Sequence, residues 1–180
     1  MSTAHPLASL AVLDQFRMQP VSPSYPTNMR TFFSPVDDVH GALKYLLGAA
    51  TQSLLIAVYG FDDDELADII MSKLKDPTIL VQLTLDASQA GGVHERKLLA
   101  RENYPASSIA IGNSEHGRIM HDKLAIVDGI FVVTGSTNWS DAAERLQSNQ
   151  MTVISDAYVA AETTARIGAT HANMLQKQQA

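Results

Sequence analysis

The segment His121-Asp-Lys-Leu-Ala-Ile-Val-Asp128-Gly-Ile-Phe-Val-Val-Thr-Gly135-Ser136-Thr-Asn138 sets two apolar runs on either side of an Asp-Gly pair. Ile119–Val127 and Ile130–Thr134 read as strands. Asp128-Gly129 is the strongest short signal for a two-residue hairpin turn, because both central residues must adopt positive φ. Such a turn makes Val127 face Ile130, Lys123 face Thr134 and His121 face Ser136. Directly opposed residues share one face of a sheet, so His121, Lys123, Thr134 and Ser136 are expected to converge. Asn138 joins them if the strand continues.

Outward from this hairpin, strand and helix signals alternate from Thr31 onward. The expected fold is α/β, a mixed sheet flanked by helices on both faces of a single domain. Thr31–Phe33 reads as a short strand. Ser34-Pro35 reads as a helix start, with Val36, Val39, Leu43 and Leu46 on one apolar face. Ser53–Tyr59 is an unbroken apolar run, the mark of a buried strand. Asp62–Lys75 is expected as a helix, acidic at its start and basic at its end, with Leu66, Ile69, Ile70 and Leu74 inward. The triple aspartate Asp62–Asp64 is read as a solvated helix start rather than a metal site. Thr78–Leu85 and Ser108–Ile111 are further strands, with a basic helix near His94–Glu102 between them. Asp141–Leu146, capped by Ser140, is a helix, Met151–Ile154 a strand and Tyr158–Gln176 a C-terminal helix. Residues 1–29, punctuated by Pro20, Pro23 and Pro26, are expected to form an N-terminal extension or arm, and 30–180 the folded domain.

Composition narrows the chemistry. No cysteine is present, which excludes disulfides, thiolate nucleophiles and cysteine-bound zinc. No apolar run approaches the roughly 20 residues needed to span a bilayer. The apolar stretch Leu7–Leu13 has no Lys or Arg before it, unlike a secretory signal, and a cytoplasmic protein starting near Met1 is expected. Thirteen basic and nineteen acidic side chains give a net charge of −6, without the basic footprint usual in nucleic-acid binders.

The expected cluster contains a histidine, a cation and neutral hydrogen-bonding groups, with no second carboxylate and no metal-ligand set. Lys123, Ser136 and Asn138 suit an anionic phosphate, whose transfer depends largely on positioning and electrostatic stabilisation. Neutral histidine is a competent covalent nucleophile. A His-x-Lys pair alone on a strand is usually surface decoration; the complete pattern sets this one apart.

That pattern, His121-x-Lys123-x4-Asp128-x6-Gly135-Ser136-x-Asn138, resembles at every fixed position the HxKxxxxDxxxxxxGSxN signature of the phospholipase D superfamily. The resemblance covers about residues 30–175, including Leu85-Asp86-x-Ser88-Gln89. It is greatest to small single-motif members, typified by the bacterial metal-independent endonuclease. It implies an αβα sandwich whose active site takes two motifs, side by side across a two-fold axis. One histidine attacks phosphorus; the other protonates the leaving oxygen and later activates water. With one motif and no internal repeat here, the second must come from another chain, giving a symmetric homodimer.

Carried over by position, His121 is the nucleophile or acid, and Lys123 and Asn138 bind phosphate. Ser136 supports the site by hydrogen bonding, Asp128 and Gly135 support it structurally, and Ser88 and Gln89 lie on the substrate side. Family nucleases often carry a glutamate after the following helix to orient the attacking histidine. The aligned position here is Asn149, beside Gln150. An amide accepts an imidazole N–H but does not stabilise imidazolium as a carboxylate does. Asp86 and Glu144 are the alternative orienting groups.

The resemblance therefore implies a metal-independent, cofactor-free homodimeric endonuclease cutting DNA or RNA through a phosphohistidine. A phospholipase D-type lipid hydrolase and a catalytically weak phosphodiester-binding module are the alternatives. His5, His40 and His171 show no convergent neighbours. His94 and His116 accompany a basic cluster of Arg96, Lys97, Arg101 and Arg118, and Trp139 reads as a core or interface anchor.

Overall fold

Apolar runs without a polar face can be buried only between two layers, and they form the middle of the sheet. The computed structural model describes residues 5–89, 105 and 107–178; the basic segment around His94–Glu102 lies outside them. In chain order the elements begin with β1 (Met29–Ser34), α1 (Val39–Gly48), β2 (Ser53–Val58), β3 (Phe61–Asp62) and α2 (Asp64–Lys75). There follow β4 (Leu80–Asp86), β5 (Ile109–Gly112), β6 (Lys123–Val127) and β7 (Phe131–Gly135). The chain continues through β8 (Trp139–Ser140), α3 (Asp141–Arg145), β9 (Asn149–Ser155) and α4 (Ala157–Gln178).

Seven strands make one mixed sheet in the order β1-β9-β7-β6-β2-β4-β5, and β3 pairs with β8 in a separate parallel pair. The β2/β4 and β4/β5 contacts are parallel, and the remaining neighbours in the large sheet are antiparallel. Central β2 divides its side chains between two cores. Leu54, Ile56 and Val58 pack with α1 and α2, while Leu55 and Ala57 pack with Ile167 and Met174 of α4. Helices therefore cover both faces.

Residues 5–28, expected as an arm, contribute to the first of these cores. Leu7, Leu10 and Leu13 are buried there, the last two in a 3-10 helix spanning Leu10–Phe16. Arg30, itself buried, holds this segment through Asp14, with Nε donating to Oδ1 at 2.6 Å.

Ser34-Pro35 does not start α1, contrary to the sequence reading. Asp37 accepts the backbone N–H of both Met18 and Phe33, making 34–37 a turn, and Asp38 caps the helix by accepting from Gly41. Val36 is left exposed. The start of α2 also differs from expectation. Asp63 is buried and caps the helix through Leu66 N–H, while Lys73 near its end donates to the Gly48 and Ala50 carbonyls.

The hairpin register is shifted from the expected one. Asp128 and Gly129 do take positive φ, of 52° and 66°. Yet Val127 pairs with Phe131, Ile126 with Val132 and Ala125 with Val133, leaving Ile130 inside the loop. Ile130 N–H donates to the Val127 carbonyl at 3.2 Å, but the Ile130 carbonyl accepts from Asp156 N–H at 3.2 Å, so strand pairing begins one residue later than in a two-residue hairpin. One residue of slip reverses which side chains share a face. Thr134 therefore lies opposite Thr152 in the α4 layer, not beside Lys123.

Asp128 anchors this hairpin. Its carboxylate accepts the backbone N–H of Thr51, Gln52 and Ser53, the Thr51 hydroxyl and a short contact from His5 Nε2 at 2.7 Å. Burial raises the Asp128 pKa, but the hydrogen bonds from Ser53, Gln52, His5 and Thr51 more than offset it and hold the group at about 2. A carboxyl depressed below its unfolded value stabilises the fold above that value and loses the contribution as pH falls through the folded one. Asp128→Asn should lower stability by about 2 kcal/mol at neutral pH. Denaturant unfolding should show the gap between the two proteins narrowing as pH falls from about 4 towards 2. A gap that stays constant over that range would contradict the anchor's being ionic.

Candidate functional site

The carboxyl end of β2 is the junction of the site. Tyr59, immediately after the strand, donates its N–H to the Asp122 carbonyl at 2.8 Å and draws the residues before β6 alongside. Its ring stands 4.6 Å from the His121 ring at an angle of 57°. Lys123 Nζ lies 5.0 Å from the centre of the same ring, and Gln89 Nε2 donates to the Tyr59 hydroxyl at 3.2 Å. One aromatic side chain thus collects His121, Lys123 and Gln89.

Gly60 brings in Asn138. Its carbonyl accepts from Trp139 N–H at 2.8 Å, and β3 and β8 pair from Phe61–Trp139 onward. A Cβ on Gly60 would come within 3.0 Å of Asn138 Cγ, so the absent side chain is the space in which the amide sits. Trp139 is buried edge-on to Phe61 and is a core anchor.

His121 is exposed, whereas Lys123 is only 7% exposed and donates to the His121 carbonyl at 2.9 Å. Burial pushes the Lys123 ammonium below its ordinary pKa, with Asp122 opposing the shift. Asn138 Oδ1 is buried and, among the described residues, has no hydrogen-bond partner. The site therefore holds a partly desolvated cation and an accessible imidazole on one tyrosine ring, with an unpaired amide oxygen against the next residue.

Ser136 and Asn149 face one another. Ser136 Oγ donates to Asn149 Oδ1 at 3.2 Å and accepts from Gln150 N–H at 3.0 Å, while Asn149 Nδ2 donates to the Ala143 carbonyl. The pair fastens the end of the motif to β9; among the described residues, no hydrogen bond joins Asn149 to the imidazole. Gly135 makes the approach possible, since a Cβ there would fall 2.1 Å from the Gln150 carbonyl oxygen.

The two alternative carboxylates lie in different places. Asp86, 0% exposed, accepts Met120 N–H at 2.5 Å with one oxygen, and Ser88 N–H and Oγ with the other. It thereby holds the segment entering His121 against the end of β4. Glu144 instead meets His40 Nδ1 at 2.6 Å. Tyr59 and Asp86 carry more of the geometry than sequence reading assigned them. The available signal was position, because ligands of open α/β sheets gather beyond the carboxyl ends of strands.

Three further expectations are corrected. His40 has convergent neighbours, and so do His5, which meets Asp128, and His171, which is buried between Thr84 Oγ1 and the Ser107 carbonyl. Asp63 is not part of a solvated helix start. The chain also does hold a set of metal-ligating groups: donor atoms of buried His40, Asp63 and Glu144 all lie within 4.8 Å of one another. Burial, then Asp63, pushes the Glu144 carboxyl up to about 8.

Among the described residues no helix is long and apolar enough to cross a membrane. Residues 43–170 match the family described as cardiolipin synthase, PLD-like domain. A mitochondrial cardiolipin hydrolase from Chlamydomonas reinhardtii is 29% identical over 110 residues, 61% of this chain and 47% of that protein. A phospholipase D from Rickettsia bellii is 26% identical over 144 residues, 74% of this chain and 64% of that protein. The chain thus spans about half to two thirds of the length of these relatives. Among solved structures, Nuc from Salmonella typhimurium, a phospholipase D family member, superposes with a TM-score of 0.64 at 22% identity, covering 79% of this chain and 92% of that one. The family match spans every position of the motif assembled around Tyr59 and Gly60, and the chain belongs to the phospholipase-D-like family.

Proposed function

We propose that the chain is a phosphodiesterase acting as a homodimer, and specifically an endonuclease that hydrolyses DNA or RNA with no metal in the reaction. The observation that carries this reading is the joint contact of exposed His121 and buried Lys123 with Tyr59, with Asn138 packed on the next residue. Each chain brings this set once. In the proposed reaction an imidazole nitrogen of one His121 attacks phosphorus and the P–O bond to the leaving oxygen breaks. That oxygen takes a proton from His121 of the second copy. Water then attacks the phosphohistidine, giving its proton to the same second imidazole, and the P–N bond breaks to release the product. Lys123 and Asn138 hold the phosphate oxygens, and desolvation of Lys123 strengthens its pull on an anion.

The relatives named as cardiolipin hydrolases favour a second reading, in which the phosphodiester belongs to a phospholipid. The chemistry is common to both, so substrate choice is read directly. Purified protein incubated in chelator with plasmid, RNA or vesicles of phosphatidylcholine and cardiolipin should cleave nucleic acid, and added magnesium should not raise the rate. Cleavage of the lipid alone replaces the nuclease reading with the lipid one. Cleavage of nothing under any condition leaves a binding module.

Lys123→Met keeps the buried stem and removes the charge. It should cut kcat/KM by about 100- to 1000-fold, the loss typical of one charge-stabilising donor, while the protein stays folded by circular dichroism.

The shared site is tested by mixing subunits. His121→Asn and wild type, unfolded together in equal amounts and refolded, should leave about a quarter of dimers wholly wild type. Activity per total protein should fall to that quarter. Retention of about half would mean that each chain works alone.

A further inference from the structure

His40, near the start of α1, Asp63, the cap of α2, and Glu144 in α3 converge in the interior, at 6%, 7% and 1% exposure. His40 Nδ1 lies 2.6 Å from Glu144 Oε2 and 3.3 Å from Asp63 Oδ2. Two atoms of this group, Glu144 Oε1 and His40 Nε2, are buried without a hydrogen-bond partner among the described residues. A buried carboxyl oxygen left unpaired is costly, and a cation entering between these groups would displace the proton that His40 Nδ1 and Glu144 Oε2 share at 2.6 Å.

We propose that these three residues bind one divalent transition-metal cation of the zinc type, which clamps α1, α2 and α3 together. A neutral imidazole, two carboxylates and a divalent ion sum to zero charge. Ligand atoms about 2.0–2.2 Å from zinc stand roughly 3.3 Å apart in a tetrahedral set, so the Asp63 spacing fits and Glu144 moves outward by a fraction of an ångström. The unpaired Glu144 oxygen then gains a partner, and water takes the open position. A metal-bound histidine generally turns its other ring nitrogen to a carboxylate; His40 Nε2 makes no hydrogen bond here, and Glu65 Oε1, 3.5 Å away, is the carboxylate it would turn to. Asp63 Oδ1 is held by Leu66 N–H at 2.8 Å, leaving Oδ2 for the ion. The ion is structural and separate from the chemistry at His121. The cluster is joined along the chain to the Asn138 region, since β3 leads from Gly60 to Asp63 and β8 leads from Asn138 to α3.

The full chain, freed of metal by chelation, is titrated with Zn²⁺ by calorimetry and with Co²⁺ by visible absorption, and its thermal unfolding is followed with and without Zn²⁺. The expected results are one ion per chain, ligand-field bands of low-coordinate cobalt and a raised Tm. Asp63→Asn keeps the helix cap and Glu144→Gln keeps the shape; each should weaken binding by more than about tenfold. His121→Asn should leave the stoichiometry unchanged, which excludes binding at the phosphodiester site. Absence of cobalt bands and of any Tm shift in the wild-type chain overturns the proposal, as does full-strength binding in both conservative variants. These readouts are independent of turnover, so failure of the nuclease reading would leave them intact.

Discussion

Asp128 lies at the opposite end of β6 from His121 and Lys123, yet their placement depends on it. Its carboxylate gathers three consecutive backbone N–H groups at residues 51–53, the turn leading into β2. The β6–β7 loop is thereby tied to the start of the strand whose other end carries Tyr59. With the hairpin loop fixed there, β6 pairs with β2 so that Val58 faces Lys123. A slip of one residue would turn Lys123 to the opposite face and out of reach of Tyr59. The aspartate of the motif thus acts through register.

Much of this arrangement is legible in the sequence because it rests on local rules. The apolar run Ser53–Val58, the Asp-Gly turn and the charge gradient of α2 each have one dominant physical reading. The hairpin register was not legible, because the loop length is settled by Asp156 and Thr51–Ser53, distant in sequence. The same limit hid the buried histidines. His40 is separated from Glu144 by 104 positions and His5 from Asp128 by 123, and periodicity carries no information over such spans. Asn149 aligns with a family glutamate, but its actual contacts, Ser136 and Ala143, follow from the close approach that Gly135 permits.

The buried polar groups divide into two sorts. Asp86, Asp128 and Asp37 each accept backbone N–H groups and are fully engaged in holding loops. Such satisfied carboxylates stiffen the backbone at the strand ends. Lys123 and Asn138 are different. The ammonium is desolvated with a carbonyl as its acceptor, and the amide oxygen has no partner among the described residues. Structures seldom leave such groups underused unless another species completes them.

That incompleteness has a direction. The buried cation and the exposed imidazole share the Tyr59 ring, so in the proposed reaction an anion held at His121 would give Lys123 an anionic partner. The framework is held by Asp86 on one side and the Ser136–Asn149 pair on the other, neither of which takes a proton in the proposed reaction. In the proposed reaction one such half would hold the phosphate but has one imidazole for two proton-linked tasks. Asn149 is turned to Ser136 and the Ala143 carbonyl, so in the proposed dimer the second copy would supply the acid. In the proposed dimer the two half-sites therefore complete each other's chemistry.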